Sequence, residues 1–155
     1  MTVTETPRAV LRSEDDCPFV DLGDGSELQL LQVDIPNGLW VIRTRFQPGY
    51  RVPTHKHTGQ VFAFTISGAW KYEEYPEVMT GGSYLYEPAH SVHTLIVPED
   101  ATEVADVWFA IYGANLNLDA EGNVESIVDA EMVRDGYLMM CEAEGKGTPN
   151  VIGID

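Results

Sequence analysis

The stretch GYRVPTHKHTGQVFAFTISG, residues 49–68, decides the reading of this chain. In an extended backbone alternate side chains share a face, so His55 and His57 offer their imidazoles to one side while Lys56 points to the other. Two imidazoles so placed make half of a transition-metal site. A second stretch, GSYLYEPAHSVH at residues 82–93, supplies the third donor, because a histidine on a strand shortly after a proline turn faces back across a small barrel. His55, His57 and His93 are therefore the candidate metal ligands. A lone H-x-H pair also occurs on ordinary surfaces, and it is the two clusters together that carry the reading.

The two stretches resemble the paired motifs of the cupin superfamily. The first motif runs glycine, five residues, H-x-H, three or four residues, glutamate, six residues, glycine; Gly49, His55, His57 and Gly68 fall on it. The second runs from a glycine through P-x-G to a histidine and a later asparagine; Gly82, Pro88 and His93 fall on it. Three positions depart: Val61 stands for the glutamate ligand, His90 for a glycine and Val97 for the asparagine. Within cupins the chain is most similar to the small dioxygenases that cleave ketones, the acetylacetone dioxygenase-like and 2,4'-dihydroxyacetophenone dioxygenase-like enzymes. The likeness spans residues 38–112 and weakens toward residue 145. It implies an all-β fold, a cupin-type antiparallel β-barrel with a C-terminal helix, and ferrous iron held by three histidines without a carboxylate. It also implies a small ketone and dioxygen as the molecules handled, and pairing into a homodimer.

A chain of 155 residues is the size of one domain and long enough to bury its own core. Residues 1–155 read as a single cupin domain with an N-terminal arm (1–16), a C-terminal helix (129–145) and a tail (146–155). Hydrophobic residues make up 44% and charged residues 22%, ordinary for a globular protein. The 25 acidic against 9 basic side chains give a formal charge of −16, a surface that repels nucleic acid and anionic membranes. The first residues hold no apolar core of a secretory signal, and no apolar run has membrane length, which places the chain in the cytoplasm. Cys17 and Cys141 lie far apart and outside both motifs, and read as free thiols.

Short runs rich in Val, Ile, Tyr, Phe and Trp recur between Pro, Gly, Asn and Asp: residues 27–34, 39–46, 60–67, 69–75, 83–87, 92–97 and 104–112. That spacing predicts an antiparallel sandwich or barrel. Residues 116–128 read as a hairpin around Glu121, Gly122 and Asn123, and Asp129 caps a helix that Gly145 stops.

Around the ligands, three neutral imidazoles would leave a divalent ion its full charge, which suits a substrate chelated as its enolate through two oxygens. Fe(II) is the expected ion, with Zn, Ni, Mn and Cu open on the donor set alone. Glu87 reads either as a carboxylate holding the far nitrogen of a ligand histidine or as a solvated strand end. His90 is either a turn residue or a pocket acid/base, and Gln60 a pocket amide that could reach the metal or a bound water. These three are the expected catalytic groups. Phe62, Phe64, Tyr86 and Trp108, from a larger aromatic supply, are expected to line a substrate pocket, with Arg45 neutralising an anion unless it pairs with surface carboxylates. Two functions follow: a dioxygenase cleaving a C–C bond of a diketone or hydroxyketone, or a non-oxidative metal cupin acting as an isomerase, a hydrolase-like enzyme or a small-ligand sensor.

Overall fold

The computed structural model describes residues 6–154. The strands in chain order are β1 (Val20–Asp21), β2 (Ser26–Asp34), β3 (Leu39–Phe46), β4 (Arg51–His57), β5 (Val61–Ser67), β6 (Ala69–Tyr72), β7 (Val78–Thr80), β8 (Tyr84–Glu87), β9 (Val92–Ile96), β10 (Ala105–Tyr112), β11 (Asn115–Leu118) and β12 (Val124–Val128). One helix, α1 (Ala130–Ala143), follows. The strands form two six-stranded sheets, ordered β1-β2-β3-β10-β5-β8 and β12-β11-β4-β9-β6-β7. Their ladders are antiparallel, as the sequence predicts.

Period-two alternation decides which side chains enter the space between the sheets. On β3, Trp40, Ile42, Thr44 and Phe46 are buried while Arg43 and Arg45 are half-buried on the other face. On β5, Val61, Ala63 and Thr65 are buried and Phe64 and Ile66 exposed. Trp70 on β6 is fully buried in this core, and its indole N–H donates to Thr65 Oγ1 at 2.9 Å, so the ring is buried without an orphaned donor.

Gly68 turns the chain from the first sheet into the second. Its φ is +77°, and a Cβ there would stand 2.3 Å from the Val104 carbonyl oxygen, so the glycine that ends the first motif is required twice over. The second motif's glycine position holds His90 at φ +72°, a left-handed conformation that a non-glycine residue adopts at a cost.

The helix begins where expected: the Asp129 carboxylate accepts from the Met132 N–H at 2.9 Å, and Tyr137 and Cys141 bury its inner face. Gly145 at φ +70° closes it, with the Lys146 N–H donating to the Cys141 carbonyl. The segment after Gly145, expected as a tail, instead packs. Ile152 bridges Gln32 in parallel, its carbonyl accepts from the Val33 N–H at 2.8 Å, and Val151 is buried. These bonds fall at the irregularity in β2 between Leu30 and Gln32, where the C-terminal segment satisfies backbone groups that β3 leaves open. Of the expected arm, residues 1–5 lie outside the described residues and residues 6–11 are exposed. The acidic turn at residues 13–16 is anchored by Ser13 donating to Asp16. Cys17 and Cys141 are buried free thiols. No helix among the described residues is long and apolar enough to cross a membrane.

Candidate metal centre

Strand β4 carries His55 and His57 inward, and β9 pairs with it so that His93 sits directly opposite His55. The three ring centroids form a near-equilateral triangle with sides of 4.8, 4.9 and 5.0 Å. One donor atom from each ring lies within 4.8 Å of the others. His57 Nε2 and His93 Nε2 are 3.1 Å apart. His55 Nδ1 donates to the Pro53 carbonyl at 2.8 Å, which leaves its Nε2 lone pair free. Tyr72 stacks on the His93 ring at 3.8 Å between centroids and fixes its plane.

All three histidines are buried. Burial, reinforced by the neighbouring imidazoles, holds the pKa of His57 down to about 3. Burial and His55 do the same to His93, to about 3, and burial lowers His55. The rings are therefore neutral near pH 7, buried, and offer one donor atom each within 4.8 Å of the others. That donor set fits a divalent transition ion.

Glu87 lies beside His57 and His93. It lies opposite Val61 across β5 and β8 and is 3% exposed. Its Oε2 stands 3.1 Å from His57 Nε2 and its Oε1 3.5 Å from His93 Nε2, and neither oxygen has a hydrogen-bond partner. Burial pushes the carboxyl up to about 8. Glu87, expected to hold a far imidazole nitrogen, stands instead beside the Nε2 atoms of His57 and His93 that face each other. The far nitrogens of His55 and His57 have other neighbours. His55 Nδ1 has Pro53, while His57 Nδ1 lies beside Asn115, its direct partner across β4 and β11. His57 Nδ1 and Asn115 Oδ1 are both buried without an aligned hydrogen bond, so a small rotation would join them.

Two cavities adjoin the centre. The larger, about 260 Å³, lies between the sheets and is walled by Trp40, Ile42, Phe46, Leu95 and Phe109, with His55, His57 and Glu87 on its surface. The other, about 250 Å³, is lined by Tyr75, Met79, Leu85 and Tyr86 beside His93 and Glu87.

The remaining expected site residues fall elsewhere: those on strands occupy outward positions of the alternation, and Gln60 and His90 lie in the connections between strands. Phe62, Phe64 and Trp108 are on the outer face of the first sheet, with Trp108 paired opposite Phe64. Tyr86 reaches only the outer cavity. Gln60 is exposed and its amide oxygen accepts from the Tyr86 hydroxyl at 3.4 Å, away from the metal centre. His90 is exposed in its turn and contributes only its backbone N–H, to the His57 carbonyl at 2.8 Å. Arg45 lies over the Phe19 ring at 3.8 Å and contacts Glu14 and Asp106, while Arg43 grips Asp106 with two bonds of 2.8 Å. Neither arginine enters the pocket. Sequence reasoning missed Asn115 and most of the wall, while Tyr72 and Phe109 belong to the larger aromatic supply it recognised. The exclusion of Phe62 and Phe64 was recoverable: if position 61 faces inward, then 63 and 65 do too and 62 and 64 cannot.

A family model for the ChrR cupin-like domain matches residues 7–108, which include all three histidines and Glu87. A structure from Ralstonia eutropha JMP134, a protein of unknown function with a cupin-like fold, is 33% identical over 97% of this chain and 96% of that one, with a TM-score of 0.89. An acetylacetone dioxygenase from Acinetobacter johnsonii is 15% identical over 90% and 97% of the two chains, with a TM-score of 0.74. The structure of Rhodobacter sphaeroides SigE in complex with the anti-sigma ChrR matches at 19% identity over 64% and 51%, with a TM-score of 0.52. The last two are likenesses of fold. Among curated proteins none matches the chain. With its sheets, motifs and three-histidine centre in place, the chain belongs to the ChrR cupin-like domain family of the cupins.

Proposed function

We propose that the chain is a dioxygenase that uses a ferrous ion at His55, His57 and His93 to cleave a C–C bond of a small diketone or hydroxyketone. The observation that carries this reading is the cavity beside the centre. Apolar and aromatic side chains dominate its wall, and no lysine or arginine is among its lining residues. Apart from the ion itself, a phosphate or carboxylate substrate would meet no side-chain countercharge there, and the only ionisable lining groups besides the histidines and tyrosines are Glu27 and Glu87. At about 260 Å³ it is smaller than the sites of drug-sized ligands, roughly 300–1,000 Å³, and fits a compact neutral ketone.

When bound, a ferrous ion supplies Lewis acidity for the carbonyl oxygens and the reducing electrons that dioxygen activation needs. The protein contributes three neutral donors, a water-poor wall and rigid ring placement through Pro53 and Tyr72. A β-diketone plus dioxygen would give a carboxylic acid and a 2-oxoaldehyde, and a hydroxymethyl ketone would give two carboxylic acids, with both oxygen atoms retained in the products. The fold likeness to an acetylacetone dioxygenase supports this chemistry. The exposed aromatics Phe64, Tyr84 and Tyr86 on the outer face of the first sheet support pairing into a homodimer. A cytoplasmic location fits two free buried thiols.

The second reading is a non-oxidative metal cupin, an enzyme using zinc or another ion or a ligand-sensing module. The match to the ChrR cupin-like model and the complex of ChrR with SigE favour it. Apoprotein loaded with Fe(II) under anaerobic conditions and then offered oxygen with aryl hydroxyketones, β-diketones and thiols separates the two. Ketone-dependent oxygen uptake, lost in His57→Ala, supports the first reading; tight metal binding with no uptake across the panel supports the second.

A further inference from the structure

We propose that Glu87 is the fourth protein ligand of the metal, supplied from β8 at the rung where the usual cupin glutamate is replaced by Val61. Its distances carry this. Metal–nitrogen and metal–oxygen bonds of about 2.0–2.2 Å place neighbouring donors about 3.0 Å apart at right angles and about 3.4 Å apart at a tetrahedral angle. His57 Nε2 to His93 Nε2 is 3.1 Å, Glu87 Oε2 to His57 Nε2 is 3.1 Å, and Glu87 Oε1 to His93 Nε2 is 3.5 Å. The carboxylate is spaced from both imidazoles as they are spaced from each other. A carboxylate serving the far nitrogen of His55 or His57 would lie beyond the rings instead, near Pro53 or Asn115.

Two further facts agree. Glu87 is buried, yet both of its oxygens lack hydrogen-bond partners, a condition that a cation at the shared point relieves. And Glu87 is registered directly against Val61, so the two side chains start from adjacent points of one rung and reach the same space. The substitution at position 61 has moved the carboxylate by one strand rather than removed it. The centre then carries three imidazoles and one carboxylate, which lowers its net charge by one and leaves fewer open positions for substrate oxygens.

This inference rests on the metal centre but not on oxygen chemistry, so its test uses Co(II) and no turnover. Metal-free wild type, Glu87→Gln, Glu87→Val and the swap Val61→Glu/Glu87→Val are titrated with Co(II) against a chromophoric chelator, with circular dichroism as the control for folding. Wild type takes up one ion per chain. Glu87→Gln and Glu87→Val lose about 100-fold or more in affinity and change the visible Co(II) bands, beyond the roughly 10- to 100-fold typical of an outer-shell partner. The swap returns the carboxylate from the other side of the rung and recovers affinity to within about tenfold of wild type. An unchanged Co(II) spectrum in Glu87→Gln, at whatever affinity, overturns the inference. Failure of wild type to bind Co(II) overturns it together with the metal centre, whereas bound metal without oxygen uptake overturns only the dioxygenase reading.

Discussion

Removing the metal should turn Glu87 into a pH-dependent liability, and the size of the effect follows from its burial. With no ion present, burial raises the carboxyl from its ordinary 4.5 to about 8, so the folded chain keeps a proton that the unfolded chain releases. The sign is that of a raised pKa: the contribution to stability is fully present below 4.5 and is lost as pH rises through 8. Inside that window each pH unit costs about 1.4 kcal/mol, which amounts to about 2.5 kcal/mol between pH 5.5 and 7.5. Glu87→Gln has the shape of the protonated side chain and does not ionise. The stability of the variant relative to wild type should therefore grow by that amount across the range, while the histidines, common to both proteins, cancel in the difference. Urea unfolding of chelator-stripped protein at pH 5.5, 6.5 and 7.5 measures it. A difference that stays constant with pH refutes the burial argument.

The histidines act in the opposite sense: their lowered pKa values give the metal-free protein a contribution that is present above 6.5 and lost as pH falls toward 3, so its urea midpoint should drop steeply below pH 6 and bound zinc should hold it up. A metal-free midpoint unchanged down to pH 4 contradicts this. Asn115→Leu removes the group beside His57 Nδ1 and should weaken zinc binding about 10- to 100-fold in a chelator competition without loss of fold; wild-type affinity would show that Asn115 does not orient the ring. Tyr72→Ala should cost about 3–5 kcal/mol and loosen His93, whereas Tyr72→Phe, which keeps the stacked ring, should do neither; equal effects in the two variants on metal affinity would place Tyr72 outside the support of the site.

The three clustered histidines were legible because two local signals coincide on them: the alternation that pairs His55 with His57, and the Gly–Pro punctuation before His93. The succession of strands along the chain and the capped helix were legible for the same reason, since turns and periodicity are local. What stayed hidden depends on which face of a strand looks inward and on contacts between distant segments. Phe62, Phe64 and Trp108 are as apolar as core residues, and only the register of β5 with β8 and β10 shows that they face out. Glu87 was legible on its strand, but its approach to the Nε2 atoms of His57 and His93 was not, because the pairing with Val61 cannot be read from either strand alone. Asn115 opposite His57 and Ile152 beside Gln32 are pairings across more than fifty residues, with no local trace. His90 departs from the family glycine yet keeps its left-handed backbone, so the turn survived the substitution while the side chain went to solvent.

Isotope labelling tests the central claim most directly. Fe(II)-loaded protein is given ¹⁸O₂ and a β-diketone that it consumes, and the products are weighed by mass spectrometry. The account predicts a carboxylic acid fragment carrying one labelled oxygen, formed in step with oxygen uptake and absent in His57→Ala. Cleavage or rearrangement of the ketone to products free of label, at a rate indifferent to oxygen, would contradict it.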